Sequence, residues 1–347
     1  MICFAWPGFP QYASRCIAAF VRKSQERVVV VATVPDVPVR GMEKIVGCPV
    51  VWVASDEYDN LLTRIGGIPR VLFCGGWAES AFYSLRRSVR QTGGRVFALV
   101  DNNYDNSILQ VVKKWRFRVF KRRVFDGYMV PGVSGVRLLQ YYGVPSTHIE
   151  TGLYSADDSI FHNGVALPSR GKRILFVGRF NSRKNILRMC QAFQIANHHF
   201  GCEWELLMCG CGPLKDQIPC DSRIIVRDFV QPEELSSLYR SSRALILPSL
   251  EEHWGLVVHE AVLSGCLLLL SEGIGSADDF LTSENGRAFS AKNVSVMSRA
   301  INWVMQLRDE ELVKGQMSSL AVAKKASIGK FVEGIQRLLE NEASCVH

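Results

Sequence analysis

Residues 244–261 read ALILPSLEEHWGLVVHEA, and the passage changes character twice. An unbroken apolar run, 244–247, gives way at Pro248 to a polar loop with adjacent carboxylates, Glu251 and Glu252. From about Gly255 a helix starts and runs on through Glu260 and Ala261. Four apolar residues without alternation fit a strand covered on both faces, and a loop that opens directly into a helix makes half of a parallel βα unit. The same design stands upstream. Residues 174–177, ILFV, run into Gly178 and Arg179, then a basic loop through Lys184 and Asn185, then a helix through Ala192 and Phe193.

Working outward, short apolar or β-branched runs alternate with helical stretches along the chain. An early series lies at 28–34, 50–54, 71–74 and 96–100, and a later one at 174–177, 205–209, 223–226, 244–247 and 267–270. A polar stretch from Asn163 to Lys172 separates them and reads as a linker. The expected fold is therefore α/β. It comprises two Rossmann-like domains facing each other across a ligand cleft, one over residues 1–165 and a second over 166–325, with a C-terminal helix in 326–347 that crosses back to the first. Ligands in such sheets bind beyond the carboxyl ends of the strands, so function is sought in the loops that follow them.

Composition narrows the class. Of 347 residues, 48% are apolar and 21% charged, as in an ordinary globular protein. No apolar run approaches the roughly 18 residues of a membrane span. The N-terminus enters an apolar strand at Ile2 without a basic leader, so a cytoplasmic protein is expected. The 11 cysteines include no CxxC pair and read as small buried apolar residues. GxGxxG, GxxxxGK[ST] and DxD are all missing, which argues against a dinucleotide enzyme, a P-loop NTPase and a metal-chelating nucleotide-sugar site. Neither His253 nor His259 has partners at metal spacing, and no metal is expected.

Charge is uneven. Residues 1–165 hold 20 basic and 13 acidic side chains, whereas the remainder holds 21 and 20. Lys113 to Phe125 alone contains seven cations, four aromatics and no acid. That segment suits phosphates or an anionic bilayer, with Trp115, Phe117 and Phe120 entering the headgroup region. It equally suits a solvated helix whose Trp115 and Val119 face the core.

The loops carry the chemistry. Gly178 permits close backbone approach, and Arg179 and Lys184 beside a helix start can neutralise a diphosphate. Backbone N–H groups at Trp254, Gly255 and Leu256 are free to bind an anion or a sugar oxygen, and Glu260 can accept bonds from a ribose diol.

With these residues in view, the chain from about Lys172 to Arg299 resembles the donor-binding domain of retaining glycosyltransferases of family 4, which have the GT-B fold. Phe176 to Arg179 with Lys184 is similar to that family's phosphate loop, and Cys209-Gly210-Cys211-Gly212-Pro213-Leu214 to its glycine turn. Phe229 and Val230 with Glu233 to Leu235 resemble the segment beside the nucleobase, and Glu252 with Glu260 matches the E-x7-E signature. Leu281 to Phe289 resembles the stretch that follows. The first half is similar in outline only. Its first loop, Trp6 to Tyr12 around Gly8, lacks the family's glycine run, and Asp101-Asn102-Asn103 stands where a histidine is often found.

The resemblance implies transfer of a sugar from a nucleoside diphosphate sugar to a hydroxyl of a glycan or lipid-linked acceptor. It implies retention and no metal or other cofactor. Glu252, Arg179 and Lys184 would be catalytic. Gly178, Gly210, Gly212, Phe229, Val230, His253, Trp254, Gly255, Leu256 and Glu260 would hold the donor, and Gly8, Asp101, Asn102 and Asn103 would face the acceptor. Surface polysaccharide or glycolipid assembly at the inner face of the membrane is the implied setting, with no nucleic-acid partner. Two alternatives stand beside it: a GT-B nucleotide-sugar epimerase and a non-catalytic GT-B binding subunit.

Overall fold

The computed structural model describes residues 1–34, 41–54, 60–76, 82–104, 108–120, 124–198 and 203–341. The chain divides into two units, Met1–Ser155 with the C-terminal stretch from Ser327, and Ala156–Ala326.

Unit 1 alternates strand and helix: β1 (Ile2–Trp6), α1 (Gln11–Lys23), β2 (Val28–Thr33), α2 (Met42–Val46), β3 (Val50–Val53), α3 (Leu61–Ile65), β4 (Val71–Gly75) and α4 (Tyr83–Gln91). It continues with β5 (Arg95–Leu99), α5 (Ile108–Phe120), β6 (Gly127–Val130), α6 (Val133–Tyr142) and β7 (Ile149–Thr151). All seven strands are parallel, in the order β3-β2-β1-β4-β5-β6-β7. Parallel pairing requires a crossover between strands, and right-handed crossovers on either side of the switch at β1/β4 place helices on both faces. That is why β1, β2 and β4 are almost wholly buried. One apolar cluster joins Leu61, Leu85, Phe117 and Leu138 of α3 to α6, and the other joins Phe20 of α1 and Met42 of α2.

Unit 2 runs β8 (Arg173–Val177), α7 (Ile186–His198), β9 (Glu205–Cys209), β10 (Ile224–Arg227), α8 (Pro232–Ser241), β11 (Ala244–Leu247) and α9 (Leu256–Leu263). It then runs β12 (Leu267–Ser271), α10 (Ala277–Phe280), β13 (Gly286–Phe289), α11 (Val294–Gln306) and α12 (Asp309–Ala323). Its six parallel strands lie in the order β10-β9-β8-β11-β12-β13, with the switch between β8 and β11. The last helix, α13 (Ile328–Glu340), belongs to unit 1: Phe331, Val332, Ile335 and Leu338 complete the cluster around Phe4 and Met129. Each such buried side chain contributes about 1.5–3 kcal/mol.

Two expectations need correction. The stretch from Asn163 to Lys172 is not a free linker but part of unit 2. The buried Arg170 guanidinium donates to the carbonyls of Val165 (3.0 Å) and Ser264 (2.8 Å), so the polar residues that suggest a loop answer an internal cation. The crossings between units fall instead at 155/156 and 326/327.

The other concerns the basic segment. In α5 Phe117 is buried against Tyr128 and Tyr142 rather than free to enter a bilayer, whereas Trp115 and Val119 point away from the core and are exposed. Lys121 to Arg123 lie outside the described residues, as does the side chain of Phe120. Among the described residues no helix is long and apolar enough to cross a membrane.

Candidate functional site

At the β8/β11 switch of unit 2, two loops are fastened to each other. After β8, the Asn181 side chain accepts from the Lys184 backbone N–H at 3.0 Å and caps a single tight turn. Asn185 follows in the left-handed region (φ 58°), and its buried amide donates to the carbonyls of Pro248 (3.2 Å) and Ala291 (2.7 Å). The Leu250 N–H closes the pair onto the Arg183 carbonyl at 2.8 Å. An asparagine suits this corner because its short polar side chain tolerates the conformation and satisfies buried carbonyls.

The arrangement brings Lys184 and Glu252 into an ion pair between Nζ and Oε2, their side chains only 12% and 15% exposed. The Ser249 hydroxyl donates toward the same oxygen at 3.4 Å. Glu252 is held through its backbone as well, donating to the Gly273 carbonyl (2.9 Å) and accepting from the Gly275 N–H (3.0 Å). Each charge compensates the other where water is scarce, and removing one would leave the second stranded.

Helix α9 starts four residues after Glu252, behind Gly255. Gly255 takes φ 81°, and a Cβ there would lie 3.2 Å from Glu252 Cγ, so the turn that aims Glu252 favours glycine. Among the described residues no acceptor faces the backbone N–H groups of Trp254, Gly255 and Leu256, which leaves the positive end of the helix open. The Trp254 side chain is buried edge-on against Phe280, so this residue offers a ligand its backbone and not its indole. His253 and Leu256 are half-buried, with His253 Nε2 3.7 Å from Glu251.

One turn down α9, the half-buried Glu260 carboxyl accepts from the Tyr239 hydroxyl at 2.9 Å. Burial pushes this carboxyl up to about 7, against the opposing pull of that hydrogen bond. Its neighbour His259 is buried and structural. Nδ1 accepts from the Ala156 N–H and Nε2 donates to the Ala323 carbonyl, both at 3.0 Å, and burial holds the imidazole down at about 4.

The glycines expected to admit ligand have a different first duty. A Cβ at Gly210 would come within 1.9 Å of the Gly178 carbonyl oxygen, and one at Gly212 within 2.5 Å of the Phe180 carbonyl oxygen. They let the loops after β8 and β9 lie against each other, tied by Gly178 N–H to Cys209 O (3.0 Å) and Phe180 N–H to Cys211 O (2.8 Å). At Gly178 itself the nearest atoms to a Cβ would be Lys184 Cε and Phe176 Cζ, each at 3.4 Å, an ordinary contact distance. Arg179 is exposed and makes no side-chain ion pair among the described residues. Phe229, after β10, is 72% exposed beside the half-buried Val230, leaving an aromatic face in solvent.

In unit 1 the corresponding edge is aromatic. Gly8 follows β1 in the left-handed region (φ 64°) and donates to Thr33 Oγ1 at 2.9 Å. Asp101 accepts from the Tyr154 hydroxyl at 3.1 Å, and Tyr154 meets Tyr12 edge-on at 5.0 Å and Trp6 at 6.3 Å. Burial raises both phenols above the ordinary tyrosine range. Asn102 is half-buried, and the Asn103 carbonyl accepts from Gln110 at 2.7 Å. Tyr12, in the first turn of α1, and Tyr154, after β7, stand beside Asp101 at this edge and were not singled out from the sequence. The signal available was that both follow a strand, β1 and β7. Among the described residues no group of three or more His, Cys, Asp or Glu could hold a metal ion.

This layout can be set beside known proteins. Residues 157–317 match the family of glycosyl transferases group 1. A curated relative, an uncharacterized glycosyltransferase of Methanocaldococcus jannaschii, is 24% identical over 173 residues, covering 48% of this chain and 44% of that protein. The D-inositol 3-phosphate glycosyltransferase of Corynebacterium kroppenstedtii is 29% identical over 153 residues, 37% of this chain and 34% of that one. The matched stretch thus spans less than half of either relative. Among solved structures, a glycosyltransferase from Rickettsia africae superposes with a TM-score of 0.75 at 14% identity, covering 98% of this chain and 99% of that one. Anabaena HepE, solved with UDP and glucose, superposes with a TM-score of 0.73 at 11% identity, covering 99% of this chain and all of that one. The two parallel-strand sheets and their helices are those of the GT-B fold.

Proposed function

We propose that the chain is a retaining, metal-independent glycosyltransferase of the family 4 type that moves a hexose from a nucleoside diphosphate sugar to a hydroxyl of a glycan or lipid-linked acceptor. The observation that carries this reading is the Lys184–Glu252 pair on two interlocked loops, just ahead of the open N-terminus of α9, with Glu260 one turn down that helix. The group 1 match across this region and the UDP and glucose bound by HepE point the same way.

The residues divide the work by charge. Lys184, the exposed Arg179 and the N–H groups at the start of α9 meet the diphosphate, whose negative charge grows as the C1–oxygen bond breaks. Glu252, held at backbone and side chain, orients the donor sugar hydroxyls. Glu260 takes the ribose diol, and Phe229 offers its ring to the nucleobase. The acceptor hydroxyl attacks C1 on the face the diphosphate leaves, and its proton passes to the departing phosphate oxygen, so no separate base is required. Asp101, with Tyr12 and Tyr154 behind it, presents a carboxylate and ring edges to the acceptor. The setting is surface polysaccharide or glycolipid assembly in the cytoplasm, at the inner face of the membrane.

The test is a screen of nucleotide sugars by thermal unfolding, where a ligand at 100 times its Kd adds about 2.7 kcal/mol. Turnover of the stabilising donor, with and without acceptor, follows, with the product anomer read by NMR. Inversion defeats the retaining assignment, donor consumption to an epimerised sugar without acceptor favours the epimerase, and binding without turnover leaves a binding subunit.

A further inference from the structure

Two hydrogen bonds at opposite ends of one short stretch of chain have no part in the chemistry proposed above. The chain crosses from unit 1 to unit 2 at 155/156. Just before the crossing the Tyr154 hydroxyl donates to Asp101 Oδ2 at 3.1 Å, and just after it the buried Ala156 N–H donates to His259 Nδ1 at 3.0 Å. A backbone N–H where the chain leaves one unit for another is ordinarily left to water. Here a buried imidazole takes it.

Beyond Ala156 the same stretch reaches the other support of Glu260. The Ile160 carbonyl accepts from the Ser236 hydroxyl of α8 at 2.6 Å, and Phe161 lies edge-on to the Tyr239 ring with centroids 5.8 Å apart. Tyr239 in turn donates to Glu260 at 2.9 Å and to the Val257 carbonyl at 3.2 Å. His259 precedes Glu260 on α9 and stacks on Phe280 at 5.0 Å. Residues 156–161 thus meet both side chains that fix the Glu260 carboxyl, His259 at one end and Tyr239 at the other. On the unit 1 side the Gly152 and Leu153 N–H groups donate to the Pro131 and Val130 carbonyls at 3.4 and 3.2 Å, and the Tyr154 ring packs on Tyr12 and Trp6. Only the buried Ser155 separates Tyr154 from Ala156. Two residues of chain span at most about 7 Å, so a shift of Ala156 has little slack before it reaches Tyr154.

Resting on the roles read above for Glu260 and Asp101, we propose that residues 154–161 couple the donor and acceptor edges, with His259 and Tyr154 as positioning residues. A nucleoside diphosphate that steadies Glu260 and α9 steadies Ala156 through His259, and Tyr154 then steadies the Asp101 carboxylate. Each hydrogen bond lies within one unit, and the covalent chain makes the connection. Coupling of this kind is reciprocal, so a group held at Asp101 tightens nucleotide binding by the same factor.

The test is amide hydrogen exchange on the full chain, read at Ala156 and at Asn102 to Tyr104, the residues that follow Asp101. His259→Asn keeps an acceptor at the position of Nδ1, whereas His259→Gln keeps a donor at the position of Nε2 and loses the bond to Ala156. In the free protein His259→Gln should speed exchange about tenfold at both places, His259→Asn should leave it within about twofold of wild type, and Tyr154→Phe should speed it only at Asn102 to Tyr104. Saturating UDP or GDP should slow exchange at both places in the wild type, and at Ala156 alone in Tyr154→Phe. Indifference of Asn102 to Tyr104 to His259→Gln overturns the coupling, as does an equal response to both His259 substitutions, which a merely packed histidine would give. If His259→Gln does not fold, nucleotide protection of Asn102 to Tyr104 that survives Tyr154→Phe overturns it equally. Binding of neither nucleotide defeats the donor reading, and the comparison in the free protein still decides the coupling.

Discussion

The carboxyl edges of the two sheets solve different problems with the same topology. In unit 2 the loops at the switch are locked by backbone hydrogen bonds, by glycines that admit a neighbouring carbonyl and by an ion pair. The result is a fixed frame with donors and one carboxylate pointing into it. In unit 1 the edge holds Trp6, Tyr12 and Tyr154 around Asp101, with positive-φ glycines after β1, β4 and β7 at Gly8, Gly76 and Gly152. On the proposed function, a rigid charged frame would suit a diphosphate, which presents the same charges whatever sugar it carries, and aromatic edges with a carboxylate would suit an acceptor recognised by shape and hydroxyls.

The sharpest way to break the contrast is at the glycines. Gly210→Ala places a Cβ against the Gly178 carbonyl oxygen at a separation no packing tolerates. It should cost unit 2 about 4 kcal/mol, read by denaturant unfolding. Gly76→Ala, after β4 in unit 1, has a positive φ of 75° but no described residue within 4 Å of its Cβ, and should cost only about 1 kcal/mol. Equal losses would mean the two edges are equally knit.

Next in size is Glu252→Gln. It should lower kcat about a hundredfold or more, and because the isosteric amide keeps the backbone bonds but leaves Lys184 without its opposite charge, it should also lower stability measurably. Unchanged turnover would remove Glu252 from the reaction. Lys184→Ala should weaken a nucleoside diphosphate about tenfold more than the nucleoside, because only the former presents phosphates. Equal losses, measured by calorimetry, would deny the loop its phosphate role.

The Glu260 carboxyl should make nucleoside binding depend on pH. Because burial raises Glu260, its carboxyl keeps a proton in the free protein below about 7, and only the ionised form accepts both ribose hydroxyls. Nucleoside affinity should therefore rise about tenfold from roughly pH 6 to 8 and then level off, and Glu260→Gln should flatten the profile. A flat wild-type profile would contradict the ribose assignment. The smallest effect is expected in unit 1: Asp101→Asn should raise the acceptor KM about threefold to tenfold while leaving donor affinity unchanged. Altered donor binding instead would place Asp101 on the wrong side of the transfer.

The same contrast explains what could be read in advance. Strands such as β2 and β12 are legible because a parallel sheet demands unbroken apolar runs, and the loop residues Lys184 and Glu252 stand out because each follows a strand at the carboxyl edge, where the fold pairs them. The short β7 escapes the pattern, since Ile149–Thr151 offers only three residues and a mixed surface. Tyr12 and Tyr154 escape too, for an aromatic after a strand is more often core than site, and only the fold brings them to Asp101 from opposite ends of unit 1. The basic run of α5 is legible as charge but not as orientation, because a helix with apolar residues on two sides does not declare which side is inward. The stretch from Asn163 to Lys172 misleads for a related reason: a polar segment and a segment serving a buried arginine have the same composition.

The His259 imidazole has a consequence beyond stability. It holds the N–H of Ala156, the first residue of unit 2, on one nitrogen and the carbonyl of Ala323, three residues before its last, on the other. A ring that reaches both strands of chain makes the segment between them a closed parcel whose ends sit roughly one side chain apart. Such a parcel can be excised, permuted or exchanged between genes without redrawing the path of the chain inside it. The residue immediately beside Glu260 is thus the knot that ties the two ends of unit 2 together.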